Sequence, residues 1–127
     1  MSEESILIVE DEPAVRDMLR RTLSNKGYEV LAAGGSSEAL SLCAEHRGPL
    51  HLLLTDMRML EGNGYDLARQ LSLMKPQMKV MFMSGYMDSK VHQKILSEGK
   101  SVILKPFQSE ILARKVREVL EGNGNGR

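Results

Sequence analysis

Residues 50–56, Leu50-His51-Leu52-Leu53-Leu54-Thr55-Asp56, form a leucine-rich stretch that ends in a carboxylate. The apolar run predicts a buried strand, and a charge at the end of such a strand costs free energy unless other groups stabilise it. A lone Asp after a strand more commonly begins a turn or caps the next helix. Asp56 is therefore a candidate functional residue only if further polar groups come close to it.

Four other short apolar runs flank this stretch in the sequence, at residues 6–9, 28–32, 79–83 and 101–104. Between the runs, apolar residues recur at helical spacing, as at Val15, Met18, Leu19 and Leu23. Pro13 suits the first position of the first helix, and Asp88 can cap a shorter fourth helix. Alternating strands and helices predict one doubly wound α/β domain with right-handed crossovers.

Length and composition limit the possible functions. A chain of 127 residues predicts one domain, which we place at residues 1–121, followed by a Gly- and Asn-rich tail or linker at 122–127. Seventeen basic and 17 acidic residues cancel, so nothing indicates direct nucleic-acid binding. The acidic N-terminus, the lack of a membrane-length apolar run and the single Cys43 predict a soluble, cytoplasmic protein.

Polar residues stand at the ends of four of the five predicted strands. Glu10 and Asp11 follow the first strand, Asp56 ends the third, Ser84 follows the fourth and Lys105 follows the fifth. The carboxyl ends of parallel strands share one edge of the sheet, and sites form there where the strand order reverses. The sequence therefore predicts that these five side chains form one site.

The chemistry of these residues indicates a metal and a phosphoryl group. Three converging carboxylates repel one another unless a cation is present, and Mg²⁺, or Mn²⁺ in its place, prefers oxygen ligands. Lys105 offers a positive charge to a phosphoryl oxygen, and Ser84 offers a hydroxyl donor. Asp56 is then a candidate nucleophile that forms an aspartyl phosphate.

Four motifs carry a family resemblance from Ile6 to about Leu120. They are Ile6-Leu7-Ile8-Val9-Glu10-Asp11-Glu12-Pro13, Leu53-Leu54-Thr55-Asp56-Met57, Met83-Ser84-Gly85-Tyr86 and Leu104-Lys105-Pro106-Phe107. With them, the chain resembles a receiver domain of two-component response regulators. The resemblance implies a doubly wound (βα)5 flavodoxin-like three-layer sandwich with a parallel five-stranded sheet of order 2-1-3-4-5. The phrases around Asp56 and Ser84 are most similar to receivers of hybrid sensor histidine kinases.

The resemblance implies a role for each candidate residue. Asp56 would accept a phosphoryl group from a phosphohistidine on a histidine kinase or a histidine phosphotransfer protein. Asp11, Asp56 and the Arg58 backbone carbonyl would bind Mg²⁺ directly, and Glu10 would bind it directly or through water. Lys105 would pair with the phosphoryl group, and Ser84 would move toward it. Slow hydrolysis of its own aspartyl phosphate would make the domain a borderline enzyme. We expect the domain to be a monomer or a weak dimer.

Three positions depart from the pattern of the family. Glu10 stands where many receivers have Asp, and Leu60 stands where the family usually has Pro, which predicts a more mobile loop. Val102 stands where many receivers carry a Tyr or Phe that swings inward on activation. We therefore expect signalling to rely on Ser84, the loop after it and the fourth helix.

Three other functions share parts of this pattern. A hydrolase of the haloacid dehalogenase type would need a second acid two residues after the nucleophile, where this chain has Arg58. A flavin binder of flavodoxin type would need a Ser-, Thr- and Gly-rich first loop in place of the acids. A phosphorylation-independent, receiver-like interaction module stays open as the main alternative.

Overall fold

Five strands and five helices alternate through the part of the chain that the structure describes. The structure, a computed structural model, describes residues 4–60 and 62–122. The strands are β1 (Ser5–Val9), β2 (Glu29–Ala33), β3 (Leu52–Asp56), β4 (Lys79–Ser84) and β5 (Ser101–Leu104). The helices are α1 (Pro13–Asn25), α2 (Ser36–Glu45), α3 (Gly64–Met74), α4 (Ser89–Ser97) and α5 (Ser109–Leu120).

The strands form one parallel sheet in the order β2-β1-β3-β4-β5, which confirms the predicted topology. The first strand lies between β2 and β3, so the connections that leave β1 and β3 run toward opposite edges of the sheet. Val9 pairs with Thr55, and Asp56 pairs with Met83. Because this register aligns the carboxyl ends of β1, β3 and β4, residues just beyond these strands meet at one edge.

Apolar side chains form a core on each face of the sheet, which makes the fold three-layered. Alternate residues of β1 and β3 point to opposite faces, as expected for strands with a period of two. One core joins the sheet to α1 and α5, and includes Ile6, Ile8, Leu19, Leu23, Leu54 and Leu112. The other joins the sheet to α2, α3 and α4, and includes Leu7, Val9, Cys43, Leu53, Leu71 and Phe82. Burial on both faces explains the continuously apolar strands.

The helix signals in the sequence correspond to observed contacts. Pro13 begins α1, and the Asp88 side chain accepts a hydrogen bond of 2.8 Å from the Lys90 N–H at the start of α4. The buried face of α4 is small, since Ile95 is its one buried residue. None of the helices within residues 4–60 and 62–122 is long and apolar enough to cross a membrane. The tail predicted at residues 122–127 lies outside the described residues except for Gly122.

Candidate functional site

The strand-end residues meet in one place. Glu10 follows β1, Asp56 ends β3, Ser84 ends β4 and Lys105 follows β5. One carboxylate oxygen from each of Glu10, Asp11 and Asp56 lies within 4.8 Å of the other two. The predicted convergence of the three acids with Lys105 is therefore observed.

The acidic cluster, defined as Glu10, Asp11 and Asp56, is largely withdrawn from solvent. Glu10 is 1% exposed and Asp56 is 9% exposed, whereas Asp11 is half-buried. Repulsion between carboxylates is weakly screened at such a depth. A set of ligands made only of oxygen atoms, with one member open to solvent, fits a hard divalent cation such as Mg²⁺.

Lys105 partly balances the charge of the cluster. Its Nζ lies 3.1 Å from Glu10 Oε1 and 3.1 Å from Asp56 Oδ2. Burial acts to lower the pKa of Lys105, but the hydrogen bonds to Asp56 and Glu10 outweigh burial and raise it. Burial also raises the pKa of Glu10, because it outweighs the bonds from the Glu12 N–H and from Lys105.

Each carboxylate also accepts a hydrogen bond from the main chain. The donors are the N–H groups of Glu12 to Glu10 Oε2 (3.1 Å), Leu60 to Asp11 Oδ2 (2.9 Å) and Arg58 to Asp56 Oδ1 (3.4 Å). These bonds restrict rotation of the carboxylates without adding a net charge. They also place Arg58 beside Asp56, while the role of the Arg58 carbonyl as a metal ligand stays a prediction.

Two residues that the sequence did not single out support the main chain of the site. Gly64, the first residue of α3, lies so close to β3 that a Cβ there would overlap the carbonyl oxygen of Asp56. Arg16 of α1 donates a hydrogen bond of 2.8 Å to the Glu10 carbonyl, and its guanidinium passes next to Gly34. A glycine at the start of a predicted helix was the available signal for Gly64, whereas the sequence did not distinguish Arg16 from Arg20 and Arg21 of the same helix.

Ser84 faces the loop that follows β4. Its hydroxyl donates a hydrogen bond of 2.6 Å to the Tyr86 carbonyl, and the residue is 6% exposed. An open cleft of about 480 Å³ is lined by Asp56, Arg58, Ser84, Gly85 and Tyr86. Ser84 therefore borders the same cleft as Asp56, with its hydroxyl bonded to the loop.

Val102 is buried in the core next to α4, so it fills space where the family often has an aromatic ring.

Comparisons with known proteins agree with this arrangement. The family model for the response regulator receiver domain matches residues 6–117. The chain is 36% identical over 118 residues to the sensor kinase CckA of Brucella abortus, covering 92% of this chain and 12% of CckA. It is 30% identical over 116 residues to the receiver protein CpdR of the same organism, covering 91% of this chain and 95% of CpdR. The chain thus spans a small part of CckA and nearly all of CpdR.

Solved structures have the same fold. A CheY-like receiver domain protein from Methanospirillum hungatei superposes with a TM-score of 0.85 at 28% identity, covering 96% of this chain and 97% of that one. The receiver domain of the hybrid histidine kinase CckA superposes with a TM-score of 0.78 at 35% identity, covering 91% and 98%. Since the family match includes the acidic cluster, Ser84 and Lys105, and the fold agrees, this chain belongs to the response regulator receiver domain family.

Proposed function

We propose that Asp56 is the phosphoacceptor of this receiver domain. The phosphoryl group would come from a phosphohistidine on a histidine kinase or a histidine phosphotransfer protein. The observation that carries the proposal is the position of Asp56, which lies next to both the acids after β1 and the Lys105 ammonium group. A strand-end carboxylate in contact with a cation and with a metal-binding acid pair suits an aspartyl nucleophile.

The transfer follows from these contacts. A carboxylate oxygen of Asp56 forms a bond to phosphorus while the bond from phosphorus to the histidine nitrogen breaks. The donor nitrogen keeps the electron pair of that bond, and the Asp56 carboxylate becomes an acyl phosphate. Lys105, which bonds Asp56 before transfer, is close enough to pair with a phosphoryl oxygen afterwards.

The acidic cluster would hold the metal that this chemistry needs. Glu10, Asp11 and Asp56 offer the carboxylate oxygens, and the Arg58 carbonyl is proposed as a further ligand. When bound, Mg²⁺ or Mn²⁺ would neutralise the charge that spreads over the phosphoryl oxygens.

Ser84 is proposed to report the modification. Its hydroxyl donates to the Tyr86 carbonyl in the present structure. Once a phosphoryl oxygen is within reach, the hydroxyl can donate to that charged acceptor, which is the stronger bond. The Tyr86 carbonyl then loses its donor, and the loop before α4 is free to change conformation.

The wider setting of the domain is also a proposal. Similarity to part of CckA supports a place in, or a partnership with, a hybrid sensor histidine kinase. Similarity to nearly all of CpdR supports a free-standing receiver instead. We also propose a cytoplasmic location and a monomeric or weakly dimeric state. The same proposal places the domain at residues 1–121 and a linker after it.

A phosphorylation assay tests the function directly. The protein is incubated with acetyl phosphate and Mg²⁺, and its intact mass is measured. We expect one added phosphoryl group in the wild type and in Asp17→Asn, a half-exposed acidic control on α1, and none in Asp56→Asn. A wild-type protein that binds Mg²⁺ but gains no phosphoryl group would favour the phosphorylation-independent interaction module.

A further inference from the structure

The loop between β3 and α3 touches the acidic cluster through a main-chain group of Leu60. The Leu60 N–H donates a hydrogen bond of 2.9 Å to Asp11 Oδ2, across 49 residues of sequence. The Leu60 side chain is 95% exposed, so it contributes almost no packing. Whatever Leu60 does for the site is therefore done by its backbone.

The conformation of this loop is restrained at both ends. The Met57 N–H donates to the Met83 carbonyl, and the Gly64 N–H donates to the Met57 carbonyl, each at 2.9 Å. Arg58 and Asn63 also pair in a short antiparallel bridge. Leu60 lies between these two residues, so its N–H is held in a defined direction.

The bond gives Asp11 a partner of a different kind from those of its neighbours. The Lys105 ammonium group brings a full positive charge next to Glu10 and Asp56, whereas the Leu60 N–H gives Asp11 only a dipole without net charge. The dipole fixes the rotation of the carboxylate by engaging Oδ2. It leaves Oδ1 available, and it leaves the negative charge of Asp11 for a cation.

We propose that the Leu60 main-chain N–H is a positioning group for the cation site. In this chain, where Leu60 replaces the usual proline of the family, the N–H fixes the orientation of Asp11 toward a divalent cation and couples the order of the loop to occupancy of that site. The inference rests on the metal site of the proposed function and adds a route by which metal binding regulates the loop. A partner that displaced the loop would, by the same coupling, weaken metal binding.

Two substitutions at one position separate the backbone from the side chain. Leu60→Pro removes the N–H, whereas Leu60→Ala keeps it and removes only the exposed side chain. Mg²⁺ alone is titrated into the unphosphorylated protein and followed by amide chemical shifts. We expect the Kd for Mg²⁺ to rise roughly tenfold in Leu60→Pro and to stay near the wild-type value in Leu60→Ala. Equal Kd values for the two variants would overturn the proposal.

A second measurement needs no variant of Leu60. Hydrogen exchange at the Leu60 amide should be slow in the wild type, slower with Mg²⁺, and fast in Asp11→Ala. Unchanged exchange in Asp11→Ala would also overturn the proposal. Neither measurement uses a phosphodonor, so a protein that is not phosphorylated on Asp56 could still give the expected result in both the Mg²⁺ titration and the hydrogen exchange. Failure of the wild type to bind Mg²⁺ would count against the inference itself.

Discussion

Lys105 Nζ lies 3.1 Å from Asp56 Oδ2, although 49 residues separate the two in the sequence. The same nitrogen is bonded to Glu10. In the metal-free protein, the Lys105 ammonium group thus bonds two of the three clustered carboxylates. Lys105 and a bound divalent cation therefore both reduce the repulsion between these carboxylates.

Removal of Lys105 should destabilise the metal-free protein. We expect Lys105→Ala to lower the free energy of unfolding by about 1–2 kcal/mol, because Glu10 and Asp56 are then buried without their cation. Saturating Mg²⁺ should remove most of this loss. Urea unfolding with and without Mg²⁺ measures the difference, and Lys90→Ala, an exposed lysine of α4, is the control. A loss that Mg²⁺ does not change would contradict the prediction.

Gly64→Ala should destabilise the fold even though alanine favours helices. The new Cβ would overlap the Asp56 carbonyl oxygen, so β3 and α3 must move apart. We expect a loss of about 1–3 kcal/mol and slower phosphorylation of Asp56. A Cβ added at Gly85 meets no atom within 4 Å, so Gly85→Ala is the matched control for stability. Similar unfolding midpoints for the two variants would show that the close approach has little effect.

The Ser84 hydroxyl should be needed for the conformational response but not for phosphorylation. We expect a phosphoryl mimic to shift the amide signals of residues 85–98 in the wild type. Ser84→Ala should gain the phosphoryl group with much smaller shifts there, and Ser84→Thr, which keeps a hydroxyl, should restore them. Indistinguishable wild-type spectra with and without the mimic would exclude a response through this segment.

Arg58 and Tyr86 should prolong the life of the phosphorylated protein. Both line the cleft next to Asp56, so the two side chains can restrict the approach of water. We expect the Arg58→Ala, Tyr86→Ala double variant to lose its phosphoryl group about threefold faster than the wild type. Decay followed by intact mass after removal of acetyl phosphate tests this. Equal decay rates would mean that neither side chain shields the site.

Tyr65→Phe should change stability in a pH-dependent way. The Tyr65 hydroxyl donates to Glu98 Oε2 at 2.9 Å, and this bond, with help from Lys100, holds the pKa of Glu98 below its ordinary value. A depressed pKa contributes stability above the pKa of the unfolded chain, and the contribution is lost as pH falls through the folded pKa.

The variant should therefore be less stable than the wild type at neutral pH, by at most about 0.5 kcal/mol because Glu98 is exposed. The difference should shrink as pH falls through the lowered pKa of Glu98, and it should vanish once Glu98 is protonated in both the folded and the unfolded state. Phe keeps the ring that stacks on Phe82, so packing is matched. Urea midpoints across this pH range measure the effect, and a difference that is independent of pH would assign it to packing.

Much of the fold could be predicted because the information is local. Apolar runs with helical segments between them specify five strands and five helices, and parallel topology then brings the strand ends together. That is why Asp56, Glu10 and Lys105 were identified together. The bonds from Leu60 to Asp11 and from Arg16 to the Glu10 carbonyl were missed, because each depends on the direction of a main-chain group. The predicted mobility at Leu60 rests on the absence of the fixed φ of proline, whereas the bond to Asp11 depends on an N–H that proline would lack.

The small buried face of α4 has a mechanical consequence. Ile95 is the one buried residue among the nine of this helix, whereas α1, α2, α3 and α5 each bury two or more. Lys94 of the same helix contacts the Tyr65 ring, but its own side chain is exposed. A shift of the loop that begins at Ser84 can therefore be passed to α4 with little disturbance of the core.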